Sequence, residues 1–280
     1  MWCTSPLWRY SIIGLTWAAA VSCGGSKASS TGPDKAAQYN LVWADDFDGP
    51  AGQLPDSANW KFDSGGHGWG NNQQEYNTNR PENASLDGKG NLAIVARAER
   101  FENNDYTSAR IKTQGLFKQT YGRFEARISL PKGQGIWSAF WLLGNNFDRV
   151  GWPSCGEIDI MEYRGQHPAV TSGTIHGPGY SGSNGIGTAT AIAGGIAGKF
   201  RLFAVEWEPE RIRWFVDDFN YHTVIPADLP TGARWVYNQP FFIILNVAVG
   251  GWFPGNPDAT TSFPQTMLVD YVRVYETSKD

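Results

Sequence analysis

The chain has 280 residues, of which 18% are charged, and its net charge at neutral pH is -4. It therefore has no basic field to attract nucleic acid and no strong field of either sign to steer an anionic substrate, so a neutral partner is expected. The 13 tryptophans and 11 tyrosines offer ring faces on which sugar rings can stack, although most aromatic residues of any domain belong to its core.

Residues 1–23 have the pattern of an export signal. Arg9 precedes an apolar stretch, residues 11–21, that is too short to span a bilayer, and small residues follow it. The sequence Ala20-Val21-Ser22-Cys23 is similar to a bacterial lipobox, which predicts cleavage before Cys23 and a lipid anchor on its thiol. Ordinary cleavage near Ala20 and an uncleaved anchor are the alternatives. We expect an exported protein, either a bacterial cell-surface or outer-membrane lipoprotein or a secreted protein.

Residues 24–38 are rich in Gly, Ser, Lys and Ala without an apolar period, which predicts a flexible linker. From residue 39 to residue 280, short alternating segments lie between turn clusters, and helical periodicity is almost absent. This pattern predicts a single all-β domain built as a sandwich. The predicted strands are 41–44, 92–98, 106–112, 121–130, 135–144, 156–163, 169–175, 200–207, 211–216, 221–224, 241–249 and 268–275. Loops are expected at 65–79, 177–198 and 250–255.

Three carboxylates lie in the otherwise apolar stretch Glu157-Ile158-Asp159-Ile160-Met161-Glu162. In a strand, Glu157 and Asp159 share one face, whereas strict alternation turns Glu162 toward the opposite, buried face. One extra residue at Ile160-Met161, a β-bulge, returns Glu162 to the side of the other two acids. The spacing therefore predicts a bulge beside an acidic cleft.

Two carboxylates that face one cleft suit the cleavage of a glycosidic bond, in which one acts ionised and the other protonated. Asp159 is placed to hydrogen-bond Glu157 and hold its charge, while repulsion between like charges keeps a proton on Glu162. The outer acids lie about 13–16 Å apart along an extended backbone, so their side chains must lean inward across a bent strand. Acids of an edge strand, or ligands of a metal cation, are the alternative interpretations.

Aromatic and polar residues around this stretch are candidate contacts to a sugar. Trp137 and Trp141 are four residues apart and share a strand face, where they form either a stacking floor or a layer of the core. Trp152 lies in the loop before the acidic strand and is a further candidate for stacking. His176 ends the next predicted strand, where it could hydrogen-bond Glu162 or a substrate hydroxyl.

Two further features of the sequence have a functional and a structural interpretation each. Asn71 and Asn72 can donate and accept hydrogen bonds toward sugar hydroxyls, or serve as turn residues with left-handed backbone. Cys155, the only cysteine after the leader, lies close to the acids. No Cys–His–Asp arrangement is visible around it, which favours a packed thiol over a nucleophile.

The acidic stretch resembles the active-site signature of glycoside hydrolase family 16 in its bulged, laminarinase-like form. The resemblance extends from about Tyr39 to Tyr275 and includes the blocks WGNN at 69–72, SARIKT at 108–113, YGRFEAR at 121–127, GIWSAFWLLG at 135–144 and VDYVRVY at 269–275. It implies a β-jelly-roll sandwich of two antiparallel sheets with a concave substrate cleft. It also implies retaining hydrolysis without a cofactor, with Glu157 as nucleophile, Glu162 as acid/base and Asp159 assisting.

The resemblance also implies ligands at other positions. Arg110 is similar to a residue that binds a sugar in the donor subsites, and Trp252 is a candidate platform, although the family often has Asn then Trp where this chain has Trp252-Phe253. Asp46, a backbone carbonyl near Gly90, and Asp270 are similar to ligands of a structural calcium ion. Hard oxygen ligands suit calcium, while acids in turns are often only solvated.

These observations predict an endo-acting, retaining hydrolase of β-1,3-glucan of the laminarin type. A transglycosylase would share every residue named so far. A mixed-linkage β-1,3-1,4-glucanase or a galactan hydrolase would differ in the loops around Asn71, Trp152 and Trp252, and a non-catalytic glucan-binding module on the same sandwich is a further alternative. The expected partner is a β-glucan polysaccharide rather than nucleic acid, and the expected state is a monomer.

Overall fold

Two β-sheets packed face to face form the part of the chain that the computed structural model describes, residues 39–278. The predicted signal peptide, the lipobox at Cys23 and the linker lie outside the described residues. Between residues 39 and 278, no helix is long and apolar enough to cross a membrane. The prediction of an all-β sandwich from residue 39 onward is confirmed.

Seventeen strands alternate with turns along the described chain. They are β1 Tyr39–Asp45, β2 Lys61–Asp63, β3 Glu75–Asn77, β4 Ala84–Leu86, β5 Leu92–Phe101, β6 Asn104–Ser108, β7 Arg110–Lys112, β8 Gly122–Ser129, β9 Ile136–Gly144, β10 Glu157–Arg164, β11 Val170–His176, β12 Ile186–Ala191, β13 Phe200–Glu208, β14 Arg211–Val216, β15 Phe219–Val224, β16 Phe241–Val249 and β17 Gln265–Thr277. Helical turns are short: α1 Phe147–Val150 and the 3-10 turns Gly182–Asn184 and Pro226–Asp228.

The strand order places the acidic strand near the middle of the smaller sheet. The seven-stranded sheet has the order β12-β11-β10-β9-β16-β7-β2, so β10 lies between β9 and β11. The ten-stranded sheet has the order β15-β14-β13-β8-β17-β5-β6-β3, with β1 paired to β17 and β4 to β5. All pairs are antiparallel except β3 with β6.

The core lies between the inner faces of the two sheets. Large side chains that alternate along the strands fill it, among them Phe124 of β8, Phe140 of β9 and Trp214 of β14. Every residue of Phe241–Val249 is buried, as its continuous apolar run predicts for a strand covered on both faces. One face of β10 thus packs against the core between the sheets, and its other face lines the cleft.

The differences from the predicted strands lie where local pattern is weak. The region predicted as a loop at 177–198 contains β12, whose Gly, Ala and Thr residues carry little strand signal. The predicted strand 106–112 is two strands, because the chain passes at Ala109 from the ten-stranded sheet to the seven-stranded one. The three-residue strands β2, β3 and β4 exist through long-range pairing, which sequence pattern does not report.

Candidate active site

The predicted β-bulge is present in β10. Asp159 pairs with Trp141 of β9 and Met161 with Phe140, so that Ile160 is the extra residue. Ile160 and Met161 are both buried in the core, whereas Glu157, Asp159 and Glu162 belong to the other face. The bulge thus brings Glu162 back to the side of the first two acids, as the spacing predicts.

His176, at the end of β11, faces the first two acids. It pairs across the strands with Glu157. Its Nε2 lies 3.2 Å from Oδ2 of Asp159 and 3.7 Å from Oε1 of Glu157. Thr174 of β11 pairs across the strands with Asp159, and its hydroxyl hydrogen-bonds the carboxylate of Glu162. The histidine predicted beside Glu162 therefore contacts Glu157 and Asp159 more closely, and Thr174 takes the place next to Glu162.

The three acids share a poorly solvated site that favours their protonated forms. Burial, followed by the charge of Asp159, raises the pKa of both Glu157 and Glu162 to about 8, and burial raises the pKa of Asp159 to about 8. Arg110 and His176 act in the opposite direction on Glu157. Since each ionised carboxylate opposes ionisation of the next, the three groups titrate as a coupled set that loses its protons stepwise.

Arg110 lies between two indole rings at one side of the acids. Its guanidinium is 4.7 Å from the ring centre of Trp141 and 4.9 Å from that of Trp69. Its Nε donates to Oδ2 of Asp63 at 3.1 Å. Stacking and an ion pair together hold this planar cation in one orientation. Trp69 and Asp63 were not among the predicted site residues, since neither sequence position signals that it meets Arg110.

Trp137 and Trp141 lie four residues apart on one face of β9. The Trp141 indole donates to Oδ1 of Asn246 at 2.9 Å and stacks on Arg110, which gives it a partly exposed place in the cleft floor. Trp137 is only 9% exposed, because Phe253 packs against it with ring centres 5.0 Å apart. Phe253 therefore covers most of the Trp137 ring and is itself the more exposed of the two aromatic rings.

Two loops meet beside Phe253 and carry two of the predicted sugar contacts. The backbone N–H of Trp252 donates to the carbonyl of Asn71 at 2.9 Å, and the Trp252 side chain is 76% exposed. Asn72 has φ of 56°, the left-handed conformation that its turn interpretation expects. The structure thus places Asn71 and Trp252 side by side.

Two residues of the loop before β10 differ in their exposure. Trp152 is 46% exposed, and its ring centre lies 6.1 Å from that of His176, so it borders the same cleft. Cys155 is fully buried, and burial raises the pKa of its thiol to about 11, which suits a packed residue and not a nucleophile.

The residues predicted to hold calcium are engaged by arginines. Asp46 accepts hydrogen bonds from Nε and Nη2 of Arg273 at 3.1 and 2.8 Å, and Asp270 is paired with Arg127. Gly90 lies near the carboxylate of Asp48 instead. Each predicted ligand carboxylate thus already has a cationic partner, and this arrangement does not fit a calcium ion.

Elsewhere in residues 39–278, the only trio of acidic and histidine groups close enough to share an ion is Glu157, Asp159 and His176, whose ligand atoms lie within 4.8 Å of one another. The same closeness is what two interacting carboxylates and their histidine partner require. The trio therefore needs no ion to explain it.

Comparison with known proteins agrees with this geometry. The family model "Glycosyl hydrolases family 16" matches residues 69–273. A curated β-glucanase of Rhodothermus marinus is 42% identical over 98% of this chain and 98% of its own length.

Solved structures show the same likeness. The laminarinase catalytic domain of Thermotoga maritima is 46% identical, with a TM-score of 0.82 over 86% of this chain and 99% of that one. An endo-β-1,3-glucanase of Pyrococcus furiosus is 45% identical, with a TM-score of 0.82 over 87% and 97% of the two chains. A non-specific endo-β-1,3(4)-glucanase, 36% identical with a TM-score of 0.78 over 85% and 95%, holds 1,3-β-D-cellobiosyl-glucose at its active site.

Proposed function

The chain belongs to glycoside hydrolase family 16 and is an endo-β-1,3-glucanase of the laminarinase type, and we propose that it acts by retention through Glu157 and Glu162. The bulge in β10 carries this proposal, because it returns Glu162 to the face that holds Glu157 and Asp159. The fold is the β-jelly roll of the laminarinases, and the substrate is a β-glucan.

In the first step, a carboxylate oxygen of Glu157 forms a bond to the anomeric carbon while the glycosidic C–O bond breaks. The proton of Glu162 passes to the leaving oxygen. In the second step, Glu162 takes a proton from water, whose oxygen displaces Glu157 from the glycosyl-enzyme. The chemistry needs no cofactor.

The charges around the acids support this division of roles. Arg110 and His176 favour the ionised form of Glu157, which must attack. Burial and the charge of Asp159 raise the pKa of both glutamates, so the coupled pair keeps one proton, which Glu162 must donate. His176 lies 3.2 Å from Oδ2 of Asp159 and 3.7 Å from Oε1 of Glu157, and so links the assisting acid to the nucleophile.

We propose that the sugar chain runs from the Arg110 side of the acids toward Trp252. Trp141 and Arg110 form the floor on one side of the acids. Trp252 and Asn71 project on the side where Phe253 covers Trp137, and Trp152 borders His176. Indole faces on both sides of the acids suit an internal site on a long neutral chain.

The release of reducing ends from laminarin tests the function directly. We expect activity in the wild type and its loss in Glu157→Ser, with the matched surface variant Glu210→Gln fully active. If the wild type cleaved mixed-linkage glucan but not laminarin, the β-1,3 preference would be wrong. Binding of laminarin without any product would instead favour the glucan-binding alternative.

Product length separates the hydrolase from a transglycosylase. We expect laminarin oligosaccharides to yield only chains shorter than the donor, as read by mass spectrometry at low and high donor concentration. Chains longer than the donor would assign transfer to the same acids.

Export with lipidation and the monomeric state remain proposals. Export with lipidation of Cys23 is tested by mass spectrometry of the mature N-terminus, where an unmodified start after Ala20 would contradict it. Light scattering in solution tests the monomer. Because Asp46 and Asp270 are paired with arginines, we expect EGTA to leave the midpoint of thermal unfolding unchanged, and a lower midpoint in EGTA would show that calcium is bound.

A further inference from the structure

A buried tryptophan of the opposite sheet binds the backbone at the bulge. The indole Nε1 of Trp214, in β14, donates to the carbonyl oxygen of Asp159 at 2.8 Å. The register of β10 shifts at Asp159 on both of its neighbours, so the regular ladder is interrupted at this residue. Trp214 is fully buried. Within residues 39–278, it is the only side chain of the ten-stranded sheet that hydrogen-bonds the backbone of a catalytic acid.

A glycine makes room for this contact. Gly173 of β11 is the single residue opposite Ile160 and Met161, the two residues of the bulge. A Cβ on Gly173 would lie 2.2 Å from Cδ1 and 2.5 Å from Nε1 of Trp214. Both distances are far below contact, so any side chain at this position would displace the indole from Asp159.

A second bulge directs another side chain to the same place. Trp214 of β14 pairs with His222 of β15, and Phe215 pairs with Asn220, so Tyr221 is the extra residue of β15. Its hydroxyl would lie 2.6 Å from a Cβ on Gly173. Burial, followed by the charges of Glu162 and Asp159, raises the pKa of Tyr221. Bulges commonly re-aim a side chain in this way.

We propose that Trp214 is a positioning residue that holds the β10 bulge, and with it the relative placement of Glu157, Asp159 and Glu162. A buried carbonyl outside the ladder needs a donor, and the indole supplies it. Without that donor the bulge is free to move along β10, and a displacement by one residue turns an acid to the wrong face. The inference rests on the proposed function, since it concerns the placement of the reacting carboxylates.

The test compares two buried tryptophans, each of which donates one indole hydrogen bond to a backbone carbonyl. Trp207 is also buried, and its Nε1 donates to the carbonyl of Tyr237 at 3.0 Å and not to the backbone of a catalytic acid. Trp214→Phe and Trp207→Phe each remove one indole donor from the core. For Trp214→Phe we expect kcat on laminarin to fall roughly 10- to 100-fold, because small displacements of catalytic groups have effects of this size, with KM within about twofold. For Trp207→Phe we expect kcat within about threefold of the wild type, at a similar loss of thermal stability.

Hydrogen–deuterium exchange measured by mass spectrometry supplies a readout that does not depend on activity. We expect Trp214→Phe to speed exchange in Glu157–Arg164, and Trp207→Phe to leave that strand protected. Gly173→Ala, which keeps the indole but displaces it, should reproduce both effects of Trp214→Phe and decides the matter if Trp214→Phe does not fold.

Equal kcat in the two tryptophan variants, or unchanged exchange in the acidic strand of Trp214→Phe, would overturn the positioning role. A wild-type protein inactive on β-glucans would refute the proposed function alone, because the exchange measurement would still decide whether Trp214 holds the bulge.

Discussion

Glu162 has to give a proton in one step of the reaction and take one in the next, and its surroundings suit this double role. Burial and the charge of Asp159 raise its pKa to about 8, so a proton is available near neutral pH. We expect Glu162→Gln to bind laminarin and to lose about 10²–10⁴-fold in kcat, the usual contribution of a positioned acid/base. Initial rates and isothermal titration calorimetry measure the two effects.

The same variant offers an internal control. Glu162→Gln should lose far less in the first step with an aryl glycoside whose leaving group needs no protonation, because attack by Glu157 remains intact. Turnover of laminarin near the wild-type rate would show that Glu162 is not the acid.

The pH dependence of kcat/KM follows from the same pKa values. Activity requires protonated Glu162, so it should fall as pH rises through the raised pKa of Glu162, near 8. It should fall on the acid side as the coupled pair takes up its second proton, because Glu157 must be ionised to attack. Burial and the charge of Asp159 raise the pKa of Glu157, and Arg110 and His176 oppose this shift. We expect Glu162→Gln to lose the alkaline limb while it keeps the acid one. An alkaline limb at an unchanged pH in this variant would assign that limb to another group.

The planar guanidinium of Arg110 stacks on two indole rings, an arrangement that suits arginine better than lysine. Its guanidinium lies between the rings of Trp69 and Trp141 and bonds Asp63. We expect Arg110→Lys to raise KM for laminarin oligosaccharides about 10-fold, because an ammonium group cannot stack on both rings, while kcat changes less. The exposed pair Arg100–Asp105 provides the control variant Arg100→Lys, for which no change is expected. A fall in kcat with KM unchanged would place Arg110 in the chemistry and not in binding.

At this scale the sequence predicts the acids better than their neighbours. Glu157, Asp159 and Glu162 lie within six residues, so their relation depends on strand geometry alone. Arg110 and Trp69 meet only because β7 and the loop before β3 come together in the folded chain. No local pattern reports such a contact, which is why Trp69 and Asp63 were missed.

Among the elements, the bulge in β10 was predictable because a charged side chain on the core face is so unfavourable. Strict alternation required Glu162 in the core, and one extra residue was the only local remedy. The short strand β3 is the opposite case. Its three residues carry no strand signal, and the strand forms through its parallel pairing with β6.

Strand β3 also carries a buried acid that ties two cleft loops together. Glu75 is fully buried, its Oε2 accepts the backbone N–H of Val249 at 2.8 Å, and the N–H of Gln74 donates to the Val249 carbonyl at 2.8 Å. Next to this link, Trp252 bonds Asn71. Glu75 thus helps to place the loop that presents Trp252.

Glu75 should make stability depend on pH. Burial raises its pKa from 4.5 to about 8 in the folded chain, so the folded state keeps a proton that the unfolded state loses above about pH 4.5. Its contribution to the free energy of unfolding is therefore full below pH 4.5 and is lost as pH rises to about 8. We expect Glu75→Gln to match the wild type in thermal midpoint at pH 5 and to exceed it at pH 9, by roughly 2–4 °C for each kcal/mol gained.

Differential scanning fluorimetry across this pH range makes the comparison. Because Glu157, Asp159 and Glu162 are present in both proteins, the difference between the two curves isolates Glu75. A constant offset between wild type and Glu75→Gln at all pH values would show that Glu75 does not titrate in the folded protein.

For the molecule as a whole, the rate at which the substrate binds should depend little on the charge of the protein. The net charge is only -4, and many charged side chains of the ten-stranded sheet are paired, as in the contacts of Arg123 and Arg213 with Glu206. A β-glucan carries no charge, so salt has no long-range attraction to screen during its approach. We therefore expect kcat/KM on laminarin to change by less than about twofold between 0.05 and 0.5 M NaCl.

The midpoint of thermal unfolding, measured in the same buffers, is the control. It should change with salt, because salt screens the partly exposed ion pairs of the ten-stranded sheet. A steep fall of kcat/KM with salt would instead mean that charged groups guide the polymer. Anionic galactans would then become the substrates to compare, with Arg110 and Arg164 as the cations nearest the cleft, since Arg110 stacks on Trp141 and Arg164 on Phe253. A kcat/KM that does not change with salt, together with a high rate on laminarin, would show that the cleft binds a neutral polymer through its aromatic residues and not through charge.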